Sequence, residues 1–380
     1  MRPTCFGLAV AAVVALVSCG GSPTPSATPS LPSVASTPTV APTSAPAATA
    51  APVLNVYAST MSGQVKPSLR GVPERVYVPN EWALSVTVID PATFKVIAHI
   101  PVGRIPEHVT PSHDMSRLYV NSEGAWTITA LDPATATAIQ TYNVPDAYNL
   151  YFTPDGTKAV VVQERLRRLE FRDPHTWAVI KDVPISLNGV DHLDFSADGS
   201  YLMVTTEYTG RLVKVDVNTM TVVGEVNVGG LPVDVRLSPD GKYFFVANQG
   251  RGGVSVVDPV QMMEVGFIPT GRGAHGFALS RDTKSLYVTN RLENTVSVID
   301  FASRKAVAKW KVPGGGPDML QLNPAGTQLW LTGRYDGFVS VLDTTTGALL
   351  AHIFSGLGAH GLCYFPAPGT ISLGHNGVYR

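Results

Sequence analysis

Between residues 75 and 365 the apolar positions fall into short runs and show no helical stripe. Residues 286–289 (Leu-Tyr-Val-Thr) and 296–299 (Val-Ser-Val-Ile) are typical, rich in aromatic and β-branched side chains, with a polar stretch at 290–294 between them. That pattern predicts two strands and a surface loop. A single hairpin cannot bury its apolar side, so the unit must recur and stack.

It recurs seven times. Each copy closes on an apolar strand ending in aspartate: Asp90, Asp132, Asp173, Asp216, Asp258, Asp300 and Asp343, at steps of 42, 41, 43, 42, 42 and 43. A second marker keeps phase with it, in Thr153-Pro154-Asp155-Gly156, Ser196-Ala197-Asp198-Gly199 and Ser238-Pro239-Asp240-Gly241, loosening to Asn323-Pro324-Ala325-Gly326. Asp-Gly supplies the left-handed residue of a tight strand connection. Each unit thus reads as strand A, this turn, strand B, a polar loop, strand C, the aspartate turn and strand D. Four short strands per repeat predict an all-β fold, a seven-bladed β-propeller of four-stranded blades. The first copy has B from Val76, C at 86–90 and D at 96–100 but no strand A, whereas residues 361–365 form an A strand with no continuation. Joining the two completes the seventh blade and closes the ring. Residues 54–59 and 370–380 have no place in this scheme.

Antiparallel strands alternate direction, so the B–C loops and the links before strand A share one face, the channel mouth. Two columns of residues fall there. The first, just beyond strand B, reads Glu81, Glu123, Glu164, Glu207, Gln249, Arg291 and Arg334. Charges at strand edges also discourage aggregation, but segregation by sign points to a polarised ligand-binding face. The second column, placed in the link before strand A, holds His108, His192, His275 and His360 in alternate blades, with Asp234 and Asp318 in two of the blades between. One reading has each residue capping its blade through backbone hydrogen bonds. The other has the imidazoles converging on a transition metal (Zn, Cu, Fe or Ni), with glutamates orienting the rings. Gly276 and Gly361, beside two of the histidines, permit close approach of backbone or ligand. Trp82, Trp126, Tyr208 and Tyr335 follow the charged column and either stack a ligand or pack as a lid.

Composition narrows the partners. A formal net charge of -1 offers no attraction to nucleic acid or to an anionic membrane surface. No phosphate loop, dinucleotide fingerprint, paired zinc cysteines or HExxH motif is present. Cys363 alone lies in the repeat region and reads as a small buried hydrophobe. Ahead of the repeats, residues 1–18 carry Arg2 and a short apolar run, as in a secretory signal. Residues 20–53 have no charge and are dominated by Pro, Ser, Thr and Ala, an extended tether of roughly 100 Å at about 3.1 Å per residue.

Two resemblances follow. Leu16-Val17-Ser18-Cys19-Gly20 resembles the lipobox of bacterial lipoproteins, which implies cleavage before Cys19, its lipidation, and an exported protein whose membrane contact is through that anchor. The expected organisation is a signal at 1–18, Cys19 and tether over 19–53, and the propeller over 54–380. Tyr287-Val288-Thr289-Asn290, with the near matches Tyr77-Val78-Pro79-Asn80, Tyr119-Val120-Asn121 and Phe245-Val246-Ala247-Asn248, resembles the YVTN-type propeller repeats of bacterial and archaeal surface proteins. The resemblance implies the fold and leaves the activity open. The first expectation is a cell-envelope protein that binds a small molecule or protein at the mouth. The alternative is a metal-dependent propeller enzyme, an oxidoreductase or a lactonase-like hydrolase, or a haem-binding propeller with His275 or His360 as axial ligand.

Overall fold

The computed structural model of the chain describes residues 54–380; the predicted signal, Cys19 and the tether lie outside them. Seven four-stranded antiparallel sheets form the blades. The innermost strands are Cys363–Phe365 in blade 1, Pro106–Pro111 in blade 2, Asn149–Phe152 in blade 3, Val190–Phe195 in blade 4, Pro232–Leu237 in blade 5, Ala274–Leu279 in blade 6 and Pro317–Leu322 in blade 7. The ring closes as expected, with Phe365 opposite Arg75, Tyr364 opposite Val76 and Cys363 opposite Tyr77.

Each blade is sandwiched between two others, so its middle strands are buried on both faces. That is why Leu118–Ser122 is buried at every position and Thr295–Asp300 at all but the last, with no alternation of covered and exposed residues. The outermost strands, such as Lys95–Pro101, alternate between covered and exposed positions. Seven apolar clusters result, one per blade interface, each fully buried Val, Leu, Ile, Phe or Met contributing about 1.5–3 kcal/mol.

The two markers are scaffold. All seven repeat aspartates accept backbone N–H groups in the C–D turns, as Asp216 does from Asn218 and Thr219. Gly156, Gly199, Gly241 and Gly326 are left-handed, with φ of 70–77°. Inner strands are also pinned to one another. Tyr151 accepts from the Leu193 N–H, Asp194 from Leu237, Asp234 from Phe277 and Gln321 from Tyr364, each partner lying in the following blade.

The segments left over by the repeat scheme close the end of the channel opposite the mouth. Val56 donates to the Pro239 carbonyl, and the Tyr57 hydroxyl donates to Leu237 O at 2.9 Å. Residues 370–380 cross the channel: Phe152 donates to Leu373 O, His375 to Leu150 O, and the Gln321 amide to the carbonyls of Asn376 and Gly377. Arg380 binds Asp194 and the carbonyls of Phe195 and Ser196. Cys363 is a buried free thiol whose pKa burial raises.

Candidate functional site: the channel mouth

The mouth is built by an irregularity repeated at the start of strand A. In blades 4 to 7 two residues there oppose one residue of strand B, a β-bulge. Blade 2 does the same at Glu107. His108, His192 and His275 therefore lie inside the innermost strands rather than in the links before them, correcting the sequence-based placement, whereas His360 stays in the link before Cys363–Phe365. Strand B supplies the hydroxyl that accommodates the bulge: Thr205 accepts from His192 N–H and donates to Val233 O, while Thr289 accepts from Gly276 N–H and donates to Asp318 O. Thr332 donates likewise to His360 O.

The bulges aim acid–histidine pairs at the axis. His192 Nδ1 lies 2.6 Å from Asp191 and His360 Nδ1 2.7 Å from Glu107. The centre of the basic side is Asp318, with no exposure. His275 Nδ1 approaches it at 2.8 Å, Arg334 at 3.5 Å and His360 Nε2 at 3.6 Å, and the Arg291 guanidinium donates to it. Burial alone would raise the Asp318 pKa, but Arg291 and the two histidines hold it well below the usual range. Burial, reinforced by Arg291, pushes His275 down to about 3; burial with Arg334 takes His360 to about 4. Both rings are thus neutral, sheltered and engaged.

The charged column lines the mouth, and its two halves differ. Arg334 is paired with Glu81 at 2.7 Å, and Arg291 reaches Asp318 and, at 2.5 Å, His275 Nε2. The basic end of the column is therefore occupied internally. Across the mouth, Glu123 meets Arg165 at 2.6 Å, and Glu207 accepts from Gln249 at 3.2 Å. Burial raises Glu123 to about 8, and Glu81, Glu107, Glu164 and Glu207 to about 7, with neighbouring carboxylates adding to the shift at Glu81, Glu123, Glu164 and Glu207. The rim aromatics Trp82, Trp126, Tyr208 and Tyr335 are each more than half exposed. They form no packed lid.

The four-histidine set divides. His108 and His192 come together, with ring centroids 5.4 Å apart, and His360 lies 4.7 Å from His108. His275 stays with Asp318 and Arg291. Asp234 serves the scaffold, accepting the Val235 and Phe277 N–H groups and lying 3.6 Å from Arg236. The reading of blade capping by backbone hydrogen bonds thus describes Asp234 and not His108. The histidine that joins His108 and His192 is His375, from the crossing segment that the repeat pattern left without a place. Asp191 and Glu107 were legible as acidic residues preceding histidines in step with the repeat; His375 had no periodic signal.

Gly361 is required by this convergence. A Cβ there would stand 2.1 Å from His108 Nδ1, 2.5 Å from Asn376 Oδ1 and 2.8 Å from Glu107 O. Gly361→Ala is expected to cost about 1–3 kcal/mol by overpacking, measured as a lowered denaturation midpoint. Gly266→Ala, where the nearest atom to the new Cβ is 3.8 Å away, should stay within about 1 kcal/mol.

The fold and the site define a seven-bladed propeller with an acidic, aromatic-rimmed mouth and a far end sealed by its own chain. The chain belongs to the YNCE-like β-propeller family, whose pattern it matches over residues 35–367. Among solved structures it is similar to hydrazine synthase of Kuenenia stuttgartiensis, at 21% identity and a TM-score of 0.59 over 67% of this chain and 87% of that one. A functionally unknown protein from Desulfotomaculum acetoxidans aligns at 16% identity, TM-score 0.65, covering 76% and 98%. The dihydro-heme d1 dehydrogenase NirN, in complex with DHE, aligns at 16% identity, TM-score 0.60, covering 80% of each chain. At these identities the likeness concerns the fold. No curated protein matches the chain.

Proposed function

We propose that the protein is an exported, lipid-anchored propeller of the cell envelope that binds a small cationic ligand at the channel mouth. The observation that carries this reading is the surplus of carboxyls over cations in the acidic half of the mouth. Glu123, Glu164 and Glu207 stand on successive blades above Asp191, and the guanidinia acting on the first and last of these glutamates are Arg165 and Arg291. Arg291 is already held by Asp318. An ammonium group seated there would favour ionisation of carboxyls whose pKa values are raised and pair with the carboxylates that form, while Trp126 and Tyr208 offer exposed faces for cation–π contact. A lipid at Cys19 and the tether would keep the mouth within roughly 100 Å of the membrane.

The glutamates give this reading a pH signature. A carboxyl whose pKa is raised in the fold favours the folded state below its unfolded value, near 4.5, and that contribution is lost as pH rises through the folded value of about 7 to 8. Asp146, Asp191, Glu107, Tyr208, Arg165, Arg291 and His192 face the same carboxyls. Comparing wild type with Glu123→Gln/Glu164→Gln/Glu207→Gln isolates the three. Wild type should lose stability relative to the triple variant between pH 5 and pH 8, by a few degrees in Tm or roughly 1–3 kcal/mol.

Binding should run the opposite way. Spermidine and choline, titrated by calorimetry into the full chain, are expected to bind more tightly at pH 8 than at pH 6. Glu164→Gln/Glu207→Gln should abolish that binding, and Trp126→Ala/Tyr208→Ala should weaken choline roughly 3- to 30-fold. Failure of both amines to bind at pH 8, or binding indifferent to the glutamate pair, would overturn the proposal.

A further inference from the structure

Beneath the mouth, and independent of what binds there, three imidazoles meet from distant parts of the chain. His108 belongs to the innermost strand of blade 2, His192 to that of blade 4 and His375 to the segment crossing the channel. All three are essentially without exposure, and one ring nitrogen of each lies within 4.8 Å of the others. We propose that they bind one divalent first-row transition ion, Zn2+ or Cu2+, as three neutral nitrogen ligands.

The polar contacts around the rings point to this. His108 Nδ1 lies 2.9 Å from Asn376 Oδ1, which places its proton on that nitrogen and leaves Nε2 as a bare lone pair. Asp191 Oδ1, 2.6 Å from His192 Nδ1, selects the same tautomer in the second ring. The Nε2 atoms of His108 and His192 are buried, and neither has a hydrogen-bond partner. A hydrogen bond from His375 could serve one of them but not both. His375 itself faces two amide nitrogens, Asn149 Nδ2 at 2.9 Å from Nδ1 and Asn376 Nδ2 at 3.4 Å from Nε2. A neutral ring carries one N–H, and here it finds no acceptor among its amide neighbours. A cation at the centre takes up the lone pairs that the protein leaves without donors.

The chemistry of the donors limits the ion. Three imidazoles with an open fourth position suit zinc or copper and disfavour calcium and magnesium, which take oxygen. Ligand bonds of about 2.0–2.1 Å put tetrahedral nitrogens roughly 3.4 Å apart, so the rings must close by about an ångström. For His375 to bind through Nε2 its proton must move to Nδ1, with the Asn149 amide turned to present oxygen there, giving up the bond that oxygen accepts from the Leu150 N–H at 2.9 Å. Asp191 and Asn376 already stand as outer partners of the other two rings. His275 and His360 are excluded from the set because Asp318, Arg291 and Glu107 hold them. The consequence for the fold is a cross-link between blades 2 and 4 and the crossing segment.

The test uses the full chain purified without a polyhistidine tag and stripped by chelator. Zn2+ titrated by calorimetry is expected to bind at one equivalent and to raise Tm by roughly 5 °C at saturation. His375→Gln and His192→Gln should each abolish that site, Asp191→Asn should weaken it roughly 10- to 100-fold, and the exposed His175→Ala should change nothing. Where a variant does not fold, Cu2+ bound to the unaltered protein decides through its electron paramagnetic resonance spectrum: three imidazole nitrogens support the site and one or none overturns it. Absence of Zn2+ binding below about 100 μM, or binding unchanged in a folded His375→Gln, also overturns it.

Discussion

Replacing Asp318 by alanine is expected to lower the free energy of unfolding by roughly 3–5 kcal/mol, the largest effect of any single substitution at the mouth. The carboxylate has no exposure and is the shared partner of Arg291, Arg334, His275 and His360. Without it, Arg334 keeps Glu81, but Arg291 keeps as close partners a neutral imidazole and the Gln249 side chain at 3.5 Å, with Glu207 acting on it from farther away. The penalty arises from that stranded guanidinium more than from the lost attraction. Asp318→Ala/Arg291→Met should therefore recover part of the stability, with a coupling of at least about 1 kcal/mol. Urea unfolding is the measurement, and the midpoint should fall with an unchanged slope. Additive losses in the double variant would mean that Arg291 does not depend on Asp318.

Arg380→Ala is expected to cost about 3 kcal/mol and to act first on the seal at the far end of the channel. The guanidinium lies 3.1 Å from Asp194 and donates to the carbonyls of the next two residues, Phe195 at 2.7 Å and Ser196 at 3.0 Å. Its removal leaves Asp194 buried with the N–H groups of Phe195 and Leu237, and the Tyr57 hydroxyl at 3.4 Å, as its remaining donors. Lysine at 380 keeps the charge but loses the planar fork, so Arg380→Lys should fall between. Hydrogen exchange separates local from global effects: amides of 373–380 should lose protection well before those of the blade cores. Uniform loss across all blades would show that the crossing segment folds as one with the ring.

Most of the scaffold was legible because it is periodic. The aspartates from Asp90 to Asp343 recur because every C–D turn needs the same acceptor, and the B–C loop column recurs because every blade presents the same edge to the mouth. Periodicity also located His108 and His192. It misplaced them by a strand boundary, since a bulge adds a residue without changing the length of the repeat. It was silent on the crossing segment, where His375, Asn376 and Arg380 occur once each. The change of sign at Arg291 was visible, but its meaning was not: the side chain turns inward to Asp318.

What the sequence by itself determined is the part set by local rules: strand runs, turn chemistry, the count of seven and the joining of residues 361–365 to the first repeat. Alternation of strand direction also assigned the face on which the charged column falls, because it follows from chain geometry alone. The tertiary structure decided which mouth charges find partners and which remain in surplus, and that residues 370–380 return through the channel to bring His375 to His108 and His192. Those outcomes depend on contacts between blades and with the crossing segment, 27 positions apart for Arg291 and Asp318 and 268 for His108 and Asn376, where burial and charge, rather than neighbours in the chain, set the energies.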